Sequence, residues 1–305
     1  ALETTVTLTP NPALASDWRK ETVTIPAGGQ AGLPITITPA QSGEIPLNVQ
    51  ASFEIDGQAI TTPSKKLPQL ALQPGGLAAG RDEDALLIQN DFFHLKIKRK
   101  GGWVTLTNPS LKRATIAIGE ELGPPFIPWE LEETLYDLNL VHENGTVKVI
   151  GTASSGRFPG LVLTREMPIT ASPLIAVRHR IVNAGLTAHE FQIRPGIEFL
   201  KGEQMHITVP LKERFVREHA SQFGSTHNDI PEDPTRLAEQ WLAYEEAGQV
   251  AGIVWSANVE KIINQYGGVY PFSPKQTLAP QESYETEPFH VFCGAGDWRV
   301  VRKAW

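Results

Sequence analysis

From Glu21 onward apolar and polar positions alternate: Thr22, Val23, Thr24 and Ile25 lead into Pro26-Ala27-Gly28-Gly29, and Leu33, Ile35 and Ile37 then share one face. Successive side chains of a strand point to opposite faces, so a period of two bounded by Gly and Pro predicts half-buried β-strands. The rhythm returns in Ile45, Leu47, Val49, Ala51 and Phe53, and Asp56-Gly57 before Ile60 is a hairpin signal. Residues 1–76 therefore read as a small immunoglobulin-like β-sandwich. Gln73 to Asp84, with Pro74-Gly75-Gly76 and Gly80, has the composition of a surface connection, and a second domain is expected over residues 85–305.

In that second domain Lys100-Gly101-Gly102-Trp103 turns one strand into the next, which stops at Asn108-Pro109. Strands follow over residues 145–150, 160–167, 174–182, 189–200 and 206–210, each ended by Gly, Pro or Asn. Asp233 to Ala247 admits a helix with Pro234 at its first position after an Asp cap, although Trp241, Ala243 and Tyr244 fit a strand equally well. Asp297 to Trp305 reads as a strand still running, and both ends read as boundaries cut from a longer polypeptide. Many short strands without alternating helices predict an all-β sandwich or barrel.

Composition narrows the function classes. The 305 residues are 41% hydrophobic and 20% charged, enough apolar material for a substantial core. Lys and Arg number 27 against 34 acidic residues, a net charge of -7, which argues against a surface that neutralises phosphates and so against nucleic acid. No apolar run approaches the ~18 residues of a membrane helix. The single cysteine, Cys293, can form neither an internal disulfide nor a thiolate cluster and reads as buried packing between Phe292 and Gly294. Phosphate-binding glycine loops and Gly-x-Ser-x-Gly are absent, so no cofactor is implied.

The order of features over residues 85–305 resembles the galactose-mutarotase-like supersandwich. The resemblance is carried by Gln89-Asn90-Asp91-Phe92-Phe93 leading to Gly101-Gly102-Trp103, by Gly160-Leu161-Val162-Leu163-Thr164-Arg165-Glu166, by Leu174 to Asn183 with its Asn183-Ala184-Gly185 turn, and by the strand through Arg194 and Glu198. It implies large antiparallel sheets stacked face to face, a fold found in sugar epimerases and in accessory domains of glycosidases. Catalytic epimerases of this superfamily use a histidine in an Asn/His-x-Tyr-Phe-Asn type loop, and the nearest segment here, Thr226-His227-Asn228-Asp229, lacks the aromatic pair.

Candidate site residues follow from strand geometry. Arg178 and Arg180 point away from the apolar face of their strand, as do Arg194 and Glu198 on the next. If both apolar faces pack inward together, the four form a polar ladder on one sheet surface. Arginine and carboxylate give directional hydrogen bonds to hydroxyls while aromatic rings cover apolar sugar faces, and Trp129, Trp241 and Trp255 are the aromatic candidates. His179 lies on the apolar face as a core residue. The loop holding His227, Asp229 and Asp233 clusters oxygen ligands and an imidazole, weak candidates for a base (His227) or a cation site (Asp229, Asp233), although no metal is implied by its spacing. Glu130, Glu132, Glu133 and Asp137 read as a solvated strand edge.

The leading expectation is an accessory, non-catalytic carbohydrate-binding or structural module of a larger extracellular or cell-surface carbohydrate-acting protein, with a catalytic domain upstream in the same polypeptide. One alternative is a sugar epimerase or lyase whose base is His227 or His179 with Glu198 as partner. Another is a pair of domains bracing a different catalytic module, such as a protease.

Overall fold

The computed structural model describes residues 2–8, 14–15, 20–26, 38–39, 43–45, 48–55, 58–63, 65–66, 69–73 and 76–82 of a smaller unit. In a larger unit it describes residues 84–143, 145–200, 202, 204–219, 230–256, 258–265 and 268–305. The units are Ala1–Glu83 and Asp84–Trp305. Among the described residues of the smaller unit, Lys20–Ile25, Leu2–Leu8, Asn48–Ile55 and Gln58–Thr61 lie side by side in one antiparallel sheet. Leu33, Ile35, Ile37 and the Asp56-Gly57 turn lie outside the described residues. Within the expected connection, Leu77–Arg81 is a strand paired with Gln69–Gln73. Its Leu77, Ala78 and Ala79 are buried, so small apolar side chains, rather than the flanking glycines, decide the state of this segment.

The larger unit is an antiparallel β-sandwich, as expected, with large sheets stacked face to face. One sheet runs, within this unit, in the order Lys261–Gln265, Gly268–Phe272, His189–Phe199, Arg113–Gly123, Val104–Asn108, His94–Lys98 and Ala85–Gln89. The other runs Asp137–Glu143, Thr146–Ser154, Leu161–Ile169, Leu174–Asn183, Phe289–Ala295, Gln249–Val254, Trp241–Glu246, His206–Pro210 and Phe215–His219. Their inner faces meet where Leu122, Phe191 and Ile193 of the first pack on Leu161, Leu163 and Ile181 of the second, each such side chain contributing ~1.5–3 kcal/mol. The predicted alternation is plain in Thr146–Ser154 and Leu161–Ile169, where every second residue is buried.

The turn at Asn183 is held by its own side chain. Asn183 Nδ2 donates to the carbonyls of Thr187 (2.8 Å) and Leu278 (3.0 Å), and its Oδ1 accepts from Gly185 N (3.0 Å). Gly160 packs against this turn at φ +97°, where a Cβ would stand 2.5 Å from the Gly185 Cα, so only glycine fits.

Three expectations are corrected. Leu174–Asn183 and His189–Phe199 are consecutive but belong to different sheets, since the chain crosses the sandwich between them. Arg178 and Arg180 therefore cannot form a ladder with Arg194 and Glu198. Asp297 to Trp305 is not a strand: Trp298–Ala304 is an α-helix, capped by Asp297 Oδ1 accepting from Arg299 N at 2.8 Å, and it seats Val301 in a cluster with Trp241 and Val250. Glu130, Glu132 and Glu133 lie in a turn, with Glu133 N bonded to the Glu130 carbonyl, rather than along a strand edge. The 233–247 segment resolves into a 3-10 turn, Pro234–Arg236, followed by the strand Trp241–Glu246.

Candidate functional site

Arg113–Gly123 and His189–Phe199 pair so that Glu121 faces Arg194, Gly119 faces Gly196 and Ala117 faces Glu198. Glu120, Leu122 and Ile193 alternate into the sandwich, so this second set lies on the outer face of the sheet. The two glycines lower its floor. A Cβ on Gly119 would come within 3.0 Å of the Trp103 ring, and one on Gly196 within 2.8 Å of Tyr270 and 3.6 Å of Trp129. Rings thus lie directly on backbone.

Arg194 is the centre of this surface. Its guanidinium carbon stands 4.7 Å from the ring centroid of Phe126, 5.2 Å from those of Trp129 and Tyr270, and 5.6 Å from that of Phe272. Each such contact is worth ~0.5–2 kcal/mol. Arg194 is 4% exposed, and its Nε and Nη2 have no hydrogen-bond partner. Opposite it, Glu121 accepts from Leu131 N at 3.2 Å and stands 3.8 Å from Arg157 Nη1. Burial pushes the Glu121 carboxyl up to about 8 despite the Leu131 hydrogen bond. Glu198, further along the strand, is raised by burial and by nearby Glu132, against a hydrogen bond from Tyr270.

Trp103 and Trp129 lie nearly parallel, 13° apart with centroids 6.0 Å apart, and Trp129 meets Tyr270 edge-on at 5.9 Å. Both tryptophans are half-buried, which leaves ring surface accessible beside two carboxyls. Arg194 and Glu198 are four residues apart, so the Glu121 and Glu198 backbone positions are separated by roughly 13 Å along the strands.

A separate charged group lies inside the sandwich. Arg165 donates to both Glu120 oxygens at 2.8 Å and to the Gly102 carbonyl at 2.6 Å, and both side chains are 0% exposed. Burial is the largest single influence on the Glu120 carboxyl and acts to raise it, but the charge and hydrogen bonds of Arg165 together with neighbouring His179 outweigh it and leave the carboxyl below its usual range. His179 Nε2 sits 3.8 Å from Glu120 Oε1, beyond hydrogen-bond reach.

Of the residues singled out from sequence, Trp129, Arg194 and Glu198 come together on the outer face through Tyr270. Arg178 and Arg180 are exposed on the other sheet, where Arg180 Nε is 3.5 Å from Glu285. Trp241 is 0% exposed and stacks on Trp298 at 5.8 Å. His179 points into the sandwich while Glu198 lies on the far side of the facing sheet, so the two do not form a base and partner. His227 and Asp229 lie outside the described residues. Asp233 caps the 3-10 turn, its Oδ1 accepting from Thr235 N at 2.9 Å. Among the described residues no three His, Cys, Asp or Glu side chains are grouped to hold a metal, and no helix is long and apolar enough to cross a membrane. Cys293 is buried. Sequence reasoning missed Trp103, Glu121, Phe126 and Tyr270. The available signal was the Glu120-Glu121 doublet running into Pro124-Pro125-Phe126 and Trp129.

No family model matches the sequence, and no curated protein matches it. Solved structures do share the fold. A TPR-domain containing protein from Parabacteroides distasonis superposes with a TM-score of 0.52 at 12% identity over 80% of this chain, which spans 49% of that protein. The Slr1438 protein from Synechocystis gives a TM-score of 0.51 at 10% identity, with 71% of this chain covering 97% of it. A putative aldose 1-epimerase from Escherichia coli gives 0.45 at 12% identity, over 68% of this chain and 98% of that one.

Proposed function

We propose that this chain is a carbohydrate-binding accessory module of a larger, extracellular carbohydrate-acting protein, and that sugar docks on the outer sheet face at Trp103, Trp129 and Glu198. The observation that supports it most is the pair of near-parallel, half-buried indoles over Gly119 and Gly196, with Glu198 beside them. Indole faces cover the apolar C–H faces of a pyranose while the carboxylate accepts from its hydroxyls. Arg194 acts as a positioning residue, gathering four rings around one cation.

Calorimetric titration with a panel of neutral and acidic oligosaccharides is expected to find a binder. Trp129→Ala should weaken it about tenfold or more, the equivalent of ~1.4 kcal/mol. Arg180→Ala, a change at an exposed pair in the other sheet worth ~0–1 kcal/mol to stability, should leave binding unchanged. A flat response across the panel, or equal affinity in the Trp129 variant, would overturn the proposal.

A further inference from the structure

We propose that the sandwich holds a second binding site, for a small neutral polyol, in a cleft lined by His179, Trp255, Ser256, Tyr284, Thr286 and Phe289. It is separate from the outer sheet face, so sugar binding there and polyol binding here stand or fall independently.

One buried polar atom of a lining residue is unsatisfied. Trp255 is 4% exposed, yet its Nε1 has no hydrogen-bond partner, whereas His179 Nε2 faces Glu120 Oε1 at 3.8 Å. An unpaired buried polar atom costs ~1–3 kcal/mol, which a ligand supplying the missing partner would recover. The indole N–H can only donate, so the ligand must accept there.

The charges around the cleft exclude anions and leave neutral ligands. No Lys or Arg lines it, whereas Glu287 does. Arg165, the buried cation that shares Glu120 with His179, is already committed to Glu120 and the Gly102 carbonyl. Ser256, Asn258, Ser273 and Thr286 add neutral polar groups, and Phe289 stacks on the His179 ring at 6.0 Å to form an apolar wall. The cleft offers about 50 Å³ and opens to solvent, so a short polyol enters it end-on rather than being enclosed.

The probe is erythritol, titrated into the full chain labelled at its indole nitrogens. The Trp255 Nε1–H resonance is expected to move and saturate, while inorganic phosphate at the same concentration leaves it in place. Ser256→Phe, from a half-buried position, and Asn258→Trp, from the exposed rim, should each weaken erythritol at least tenfold in chains whose circular dichroism matches the parent. Three results would overturn the proposal: a linear drift common to all indoles, a saturable shift that persists in both variants, or an equal response to phosphate.

Discussion

Replacing Arg165 by alanine is expected to destabilise the larger unit by about 3–5 kcal/mol, read as a drop in the urea midpoint. The reason is what the substitution leaves behind. Glu120 is fully buried and holds two of its hydrogen bonds from Arg165. Without the guanidinium, Glu120 is left with His179 Nε2 at 3.8 Å, beyond hydrogen-bond reach. The lost cation also withdraws the donor to Gly102 and the contact over Tyr136 at 5.6 Å. The double change Glu120→Gln with Arg165→Met removes both charges together and should restore much of the loss, because a buried pair itself adds little over apolar packing. A loss below about 1 kcal/mol would show that the pair is not buried as described. The pH dependence has a fixed sign. The folded Glu120 carboxyl lies below its usual value of 4.5. Its contribution is therefore complete above the unfolded pKa and disappears as pH falls through the lower folded value.

Glu121 should behave in the opposite way. Its folded carboxyl titrates near 8 against a usual 4.5, so between those values the native state keeps a proton that the unfolded chain releases. Stability then falls as pH rises across that window and levels off above it. Glu121→Gln keeps the shape and removes the titration. Its advantage over the parent should grow through the same window to ~5 kcal/mol at most. Chemical denaturation at several pH values measures this directly. Parallel curves for parent and variant would mean that Arg157 and Arg194 hold the carboxylate ionised after all.

The alternation read from sequence locates Thr146–Ser154, Leu161–Ile169 and Leu174–Asn183 because each has one face in the core and one toward solvent. His189–Phe199 is buried on both faces for most of its length. Its polar residues therefore looked solvent-facing when aromatic rings cover Arg194. Nothing in a period-two pattern tells which of two stacked sheets a strand joins, so Arg178 and Arg194 looked like neighbours although the chain crosses the sandwich between them. The C-terminal helix was hidden by Val300 and Val301, β-formers by propensity, while the deciding features are the Asp297 cap and the packing of Val301 against Trp241. The candidate site depends on two glycines, one on each of two strands far apart in sequence, and only pairing shows that Gly119 faces Gly196.

The central claim is that sugar meets the outer sheet face. Indole-labelled protein, saturated with the best oligosaccharide from the panel, tests it at the level of single rings. The account predicts that the Trp103 and Trp129 signals move together along one saturation curve while buried Trp241, whose Nε1 donates to Glu239 at 2.6 Å, stays fixed. Movement confined to Trp298 and Trp305, with Trp103 and Trp129 unchanged, would contradict it.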